Sequence, residues 1–449
     1  MTRAAVLVVL LLPLGAAMEN ITDVTQVAPL RELVWDAPDG TQVEGVLGRN
    51  VAIFTTEGYD ATHPLLSNCH DPDRHAAAVS YAPIPPTGPL PVPRTDTSAH
   101  GDFIAGILCA MDGEQPLGLA PESVAFAWTG LCSRDCPLES WFADERLRVM
   151  TNSVGSNPVE DAQRLGMPAD QDLLFVHAVG NEGGDGQTSM TPPFLHTDDR
   201  LMGVAAADWR GQAVASYSSR GARDDPSTWP DLTAPACMFG VVPLPWIDYY
   251  VTQFSNRQAQ DDMAQRDCRR ASDEEHLARA LESQAQQAGT SFAAPTVAAI
   301  AALLWEVHPG LSAPEAHALL RLTATPFLAT DDGNGDGLIS PAEFHAQHGW
   351  QAGWGLVNAT AAVAGAHFMA WHPTATVEDA IRCARTTWTD AILTGFTWDG
   401  CTEQERPPTV APPIAVEMEA PSPAPTQKSP APGIAFALVL LWLAGRRVT

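Results

Sequence analysis

The residue in this chain best suited to covalent chemistry is a serine at the mouth of a buried helix. In QAGTSFAAPTVAAIAALLWEV, from Gln287 to Val307, Gly289 and Thr290 permit a tight backbone approach, and Ser291 stands where a helix begins. Ala293, Ala294, Val297, Ala298, Ile300, Ala301, Leu303 and Leu304 make that helix apolar nearly all round, which places it inside a large domain. Ser291 then sits at the positive end of a helix dipole, where backbone N–H groups are available to a developing oxyanion. Pro295 is expected in the first turn, where the amide it lacks would have had no partner within the helix.

Such a helix needs a large fold to bury it, and the chain can supply one. It has 449 residues, of which 45% are hydrophobic, enough for one large core or two ordinary ones. The formal charge of -28, with Lys428 as the only lysine, excludes nucleic acid and anionic membrane surfaces as natural partners, because no basic patch offsets phosphate repulsion. Short β-type runs precede the serine: Val51 to Thr55, Val149 to Asn152, and Phe175 to Val179, which ends in the turn Gly180-Asn181-Glu182-Gly183. An apolar helical stretch, Ala99 to Met111, carries His100-Gly101 at its start.

The string Gly289-Thr290-Ser291-Phe292-Ala293-Ala294-Pro295 resembles the serine motif of the subtilisin-like serine proteases. His100 to Gly106, HGDFIAG, resembles that family's histidine motif, with Asp102 in place of a small hydroxyl residue common there. Gly118 to Pro121, Val149 to Gly155, Phe175 to Gly183, Val204 to Asp208, Val214 to Gly221, Asp231 to Pro235 and Gly353 to Ala359 match further family landmarks in the correct order. The resemblance runs from about Gly45 to Ala364 and implies an α/β fold, a subtilisin-like parallel sheet with helices on both faces. It also implies a peptide or protein substrate, Ser291 as nucleophile, His100 as its base, and the Asn181 amide with the Ser291 N–H as the oxyanion hole.

The family's triad aspartate does not align with a carboxylate here. Counting back from His63-Pro64 puts Thr56 at that position, and counting along the strand puts Thr55 there. Glu57 follows one or two residues late and can reach the ring if the strand bulges by one residue, while Asp60 matches a second, usually non-catalytic aspartate of the pattern. Two readings follow: a serine endopeptidase with a rebuilt acid position, or a pseudoprotease that keeps its cleft to bind peptides or a protein partner. The stretch Met18 to Gly48 is shorter than the folded propeptide such proteases usually carry, which favours the second. The intact Ser291, His100 and Asn181 favour the first.

Other segments carry their own signals. Residues 1–17 read as a secretory signal peptide, 18–44 as an N-terminal extension, and 45–366 as the peptidase domain with an insertion at 237–287. Within that insertion Ser272 to Glu275 reads as a capping box opening a helix, and Cys237 with Cys268 can tie the base. Asp332 to Glu343 fits an EF-hand-like calcium loop. Asp332, Asn334 and Asp336 fill the first ligand positions, Gly337 makes the sharp turn, Leu338 offers a carbonyl, Ser340 acts directly or through water, and Glu343 closes the loop. Residues 367–405 form a small Cys-containing appendage, 406–432 a Pro-rich linker, and 433–449 a short apolar run with Arg446-Arg447, similar to a bacterial surface-sorting tag or anchor. Export makes the cysteines disulfide candidates, with Cys383–Cys401 the expected pair and Cys109 a possible buried free thiol. The expected location is therefore outside the cell or on a bacterial surface.

Overall fold

The computed structural model of the 449-residue chain describes residues 21–70, 97–127, 141–153, 158–184, 198–243, 282–333 and 339–384, apart from 165 and 169, with a few positions between 268 and 279. The first elements are α1 (Ala28–Arg31), β1 (Val34–Asp36), β2 (Gln42–Glu44), β3 (Ala52–Thr55), α2 (Thr97–Cys109), β4 (Met111–Asp112), β5 (Gln115–Pro116) and β6 (Val124–Ala127). Next come β7 (Leu147–Asn152), α3 (Pro158–Arg164), β8 (Leu174–Ala178), β9 (Leu201–Ala207), β10 (Leu232–Pro235), β11 (Cys237–Val241) and β12 (Gln284–Ala288). The helices α4 (Thr290–Val307), α5 (Ala313–Leu322), α6 (Pro341–Ala352), α7 (Ala359–Trp371) and α8 (Val377–Ala384) complete them.

Six strands form one sheet in the order β10-β9-β8-β7-β3-β6, and every neighbouring pair is parallel. Sheets of this kind need both faces covered, and β3, β8, β9 and β10 are buried at every residue. Alternate residues serve opposite layers. Ile53 joins the core around α4, whereas Ala52 and Phe54 join a second cluster with Trp141, Phe142 and Phe175. The Phe54 ring lies 5.6 Å from Phe142 and 6.0 Å from Trp141, which fills that second layer with aromatic surface. Helix α4 packs on β7 to β10 and between α2 and α7. It is long and apolar enough to cross a membrane, but burial within the domain accounts for its composition.

The core extends beyond the expected domain limits at both ends. Ile21, Val27, Leu30 and Trp35, all from the segment read as an extension, are buried in the main cluster. Arg31 donates to the carbonyls of Pro116 (3.1 Å) and Gly118 (2.6 Å), and the Trp35 indole donates to Gly45 (3.0 Å). At the other end, the limit expected at residue 366 falls inside α7, and Val377, Ala380 and Ile381 of α8 pack onto the same core.

The cysteines follow the expectation in one place and depart from it in another. Cys237 is bonded to Cys268, closing the base of the insertion, whose two ends pair antiparallel as β11 and β12. Inside the insertion Ser272 Oγ accepts the Glu275 N–H at 3.1 Å, but the Glu275 carboxylate pairs with Arg269 instead of completing a capping box. Cys109 is not a free thiol. The 3-10 turn Ser67–Cys69 brings Cys69 to the end of α2, and the two cysteines, 5.4 Å apart at Cα, form a buried disulfide. Cys401 and the side chain of Cys383 lie outside the described residues, as do residues 1–20 and the linker and tail.

Candidate active site

Three strand ends and one helix start converge on the site. Glu57 follows β3, Ser153 follows β7, Asn181 lies in the turn after β8, and Ser291 is the second residue of α4. Side chains at the carboxyl ends of parallel strands share one edge of the sheet, where open α/β sheets hold their ligands.

His100, near the start of α2, is partly exposed, with its Nδ1 2.5 Å from Oε2 of the buried Glu57. Nδ1 therefore carries the proton that Glu57 accepts, which leaves Nε2 as the acceptor of the neutral ring. The His100 ring centroid lies 5.2 Å from that of Phe292, the residue after Ser291, so the imidazole packs at the mouth of α4. Glu57 Oε1 is buried with no hydrogen-bond partner among the described residues.

Neither threonine at the expected acid position hydrogen-bonds the histidine, and Thr56 Oγ1 is buried without a partner among the described residues. Thr55 Oγ1 accepts the Glu57 N–H at 3.3 Å, a local bond that shapes the turn after β3. Asp60 Oδ1 accepts from the Thr62 N–H (2.9 Å) and hydroxyl (2.6 Å). The bulge expected in β3 is absent. The register step lies on its neighbour, because Ala52 pairs with Leu147 while Ile53 pairs with Val149. Glu57 reaches His100 from a turn two residues beyond the strand, by virtue of its longer side chain.

Asn181 is fixed from behind. Its Oδ1 accepts the Thr290 N–H at 2.8 Å and the Thr290 hydroxyl at 3.1 Å. A backbone N–H can only donate, so the accepting atom is the amide oxygen and Nδ2 is the end left to donate elsewhere. The Gly180 N–H donates in turn to Thr290 Oγ1 at 3.2 Å, tying the turn after β8 to the helix start.

Pro295 is placed differently from the expectation. With Gly289 as N-cap, Pro295 lies in the second turn, where its missing N–H would have bonded the Ser291 carbonyl. That carbonyl accepts instead from Ser153 Oγ at 2.7 Å, and Ser291 Oγ donates weakly to the Ser153 carbonyl at 3.4 Å. Ser153 is the residue that sequence reading passed over. The strand-and-turn VMTNSVG located it, but nothing in its type announced a role.

Of the calcium-loop residues, Asn334, Asp336 and Leu338 lie outside the described residues. Ser340 is the N-cap of α6, and with Glu343 it forms a capping box in which Glu343 Oε2 accepts from the Ser340 N–H (2.9 Å) and hydroxyl (2.8 Å). Oε1 of Glu343 faces the start of the loop, 3.7 Å from where a Cβ on Gly333 would stand. The carboxylate that ends the loop thus stands near Gly333, its second residue.

The chain matches the model of the subtilase family, Peptidase_S8, over residues 50–355. It is 24% identical to a subtilisin from Bacillus pumilus over 311 residues, which is 66% of this chain and 91% of that protein. Among solved structures it is similar to the prenylagaramide maturation protease PagA, at 16% identity and a TM-score of 0.39, covering 70% of this chain and 92% of that one. It is also similar to MycP1 from the ESX-1 type VII secretion system, at 14% identity and a TM-score of 0.41, covering 77% and 84% of the two chains.

Proposed function

The chain belongs to the subtilase family of serine peptidases, and from that premise we propose that it is a secreted serine endopeptidase in which Glu57 has taken over the work of the triad aspartate. The observation that carries this reading is the 2.5 Å contact between Glu57 Oε2 and His100 Nδ1. It leaves Nε2 of His100 to take the proton of Ser291 as Oγ attacks the peptide carbonyl. The oxyanion of the tetrahedral intermediate is held by the Ser291 N–H and Asn181 Nδ2. His100 then gives its proton to the departing amine, and water hydrolyses the acyl-enzyme by the same route in reverse order. Glu57 keeps the tautomer and stabilises the imidazolium in both halves. The turn that follows β7, from Ser153, would line the cleft in which an extended peptide adds as a strand.

Calcium bound by Asp332, Asn334, Asp336, Leu338, Ser340 and Glu343 is proposed as a structural ion, supported by the spacing of these residues and by Glu343 Oε1 standing near Gly333. Bound metal would stiffen the segment leading to α6. Secretion and attachment to a bacterial surface are supported by the apolar N-terminal run, the Pro-rich tail and two disulfides, which persist in oxidising compartments. The test of the catalytic reading is covalent labelling by a fluorophosphonate, with and without calcium, against Ser291→Ala. Labelling of the parent alone is expected; a folded, calcium-loaded parent that stays unlabelled would leave the peptide-binding pseudoprotease as the better account.

A further inference from the structure

We propose that Asp102 is a positioning residue of the His100–Glu57 pair, holding the turn that carries the acid against the helix that carries the base. The inference rests on the reading of that pair as catalytic. Asp102 lies two residues after His100 on α2 and is completely buried. Its Oδ1 accepts the N–H of Asp60, three residues after Glu57, at 2.6 Å. Residues two apart on a helix do not face each other, so Asp102 acts on the turn and not on the imidazole directly.

The contact belongs to a clamp around residues 57–60. Between His100 and Asp102, Gly101 lies so close to the turn that a Cβ there would stand 1.8 Å from the Gly58 carbonyl oxygen. Turn and helix therefore meet backbone to backbone. The Tyr59 hydroxyl reaches the carbonyls of Ala125 (3.0 Å) and Cys69 (3.2 Å), and Cys69 is disulfide-bonded to the far end of α2. The carboxylate of Asp60 is turned away to Thr62, leaving its backbone N–H to Asp102.

The need for such a clamp follows from where the acid stands. An acid on the last residue of a central strand is held by the ladder on both sides. Glu57 comes two residues later, and its side chain has one more rotatable bond than an aspartate. Both changes add freedom that must be removed before the carboxylate can hold one tautomer of His100. Asp102, at the position where the family commonly has a small hydroxyl residue, supplies an acceptor long enough to reach the turn.

The test compares Asp102→Ala and Asp102→Asn with the parent in peptide hydrolysis and in the low-field proton NMR spectrum. Misplacement of a catalytic group by about 1 Å costs about 100-fold. Asp102→Ala is therefore expected to lower kcat by about that factor with little change in KM, and to lose the downfield resonance of the His100 Nδ1 proton. Asp102→Asn keeps an oxygen that can accept the Asp60 N–H and is expected to recover most of kcat and the resonance. If Asp102→Ala does not fold, Asp102→Ser, too short to reach the turn, takes its place with the same expectation. Loss of thermal stability alone, with the resonance present and kcat per folded molecule intact, would overturn the proposal, as would failure of Asp102→Asn to recover either signal. A parent that fluorophosphonate does not label overturns the protease reading instead. The resonance then still decides whether Asp102 positions the pair.

Discussion

Helix α4 carries a functional group at each end, and the two ends use buried glutamates in opposite ways. At its start, beside Ser291, the carboxylate of Glu57 meets a single titratable partner, His100, while its second oxygen has no hydrogen-bond partner among the described residues. Near its end, Glu306 is saturated. Oε2 accepts the N–H groups of Leu47 (2.6 Å), Gly48 (2.5 Å) and Arg49 (3.2 Å), and Oε1 accepts from the Arg49 guanidinium at 2.7 Å. Burial pushes the Glu306 carboxyl above the usual carboxylate range, with the amides and Arg49 pulling the other way. A carboxylate that accepts four hydrogen bonds from one backbone segment and its arginine holds the fold together. One that is held by the backbone around it, yet meets only a histidine at its tip, can respond to a proton moving on that histidine.

Changes away from the catalytic pair sharpen this contrast, and the largest effect is expected at Glu306. Glu306→Ala strands the N–H groups of Leu47, Gly48 and Arg49, while the Arg49 guanidinium keeps Glu122 at 2.8 Å, and should cost about 3 kcal/mol or more in chemical denaturation. The labelling rate of the molecules that remain folded should not change. Asn181→Leu, which removes one proposed oxyanion donor, is expected to lower kcat by about 100- to 1000-fold with little effect on unfolding.

A pH effect, separate from any substitution, reaches both regions. Burial holds His177, in the strand leading to Asn181, and His367, beside Asp36, down to about 4, from 6.5 when unperturbed. Between those values the unfolded chain takes protons that the folded one refuses. Stability from both groups is therefore full above 6.5 and falls as the solution is acidified, by about 1.4 kcal/mol per pH unit for each group, until it levels below 4. Urea midpoints measured across that window check the slope. The smallest change expected is Ser153→Ala, which leaves the Ser291 carbonyl without its side-chain donor and should cost about 1 kcal/mol of stability.

The residues proposed for catalysis stood out in the sequence because such chemistry needs particular residue types in a fixed order. Ser291, His100 and Asn181 each sit in a glycine-bearing string that few other structural needs would produce. The parallel sheet was implied by the family resemblance, while Val51 to Thr55 and Phe175 to Val179 could be read as strands from their own apolar runs. Glu57, the proposed acid, was harder to read. Its placement depends on a turn whose shape is set by Thr55, Gly101 and Asp102 together, and Glu57 reached His100 without the bulge that the sequence suggested. Ser153 and Pro295 escaped because each matters only through the other: a proline one turn deeper than expected frees a carbonyl, and a serine from a distant strand accepts the task of covering it. The Cys69–Cys109 bond, and the burial of Ile21 to Trp35 in the core, are long-range contacts with no local pattern to announce them.

The central claim is that Glu57 is the working acid, and the rate at which fluorophosphonate labels Ser291 in Glu57→Gln tests it most directly. Removal of the triad acid from subtilisin, a member of this family, lowers kcat by about four orders of magnitude, and that magnitude is carried over here. A loss of this order, in a variant that unfolds at the parental temperature, is the predicted result. Labelling within a few-fold of the parent would contradict the account and show that His100 is held by some other group.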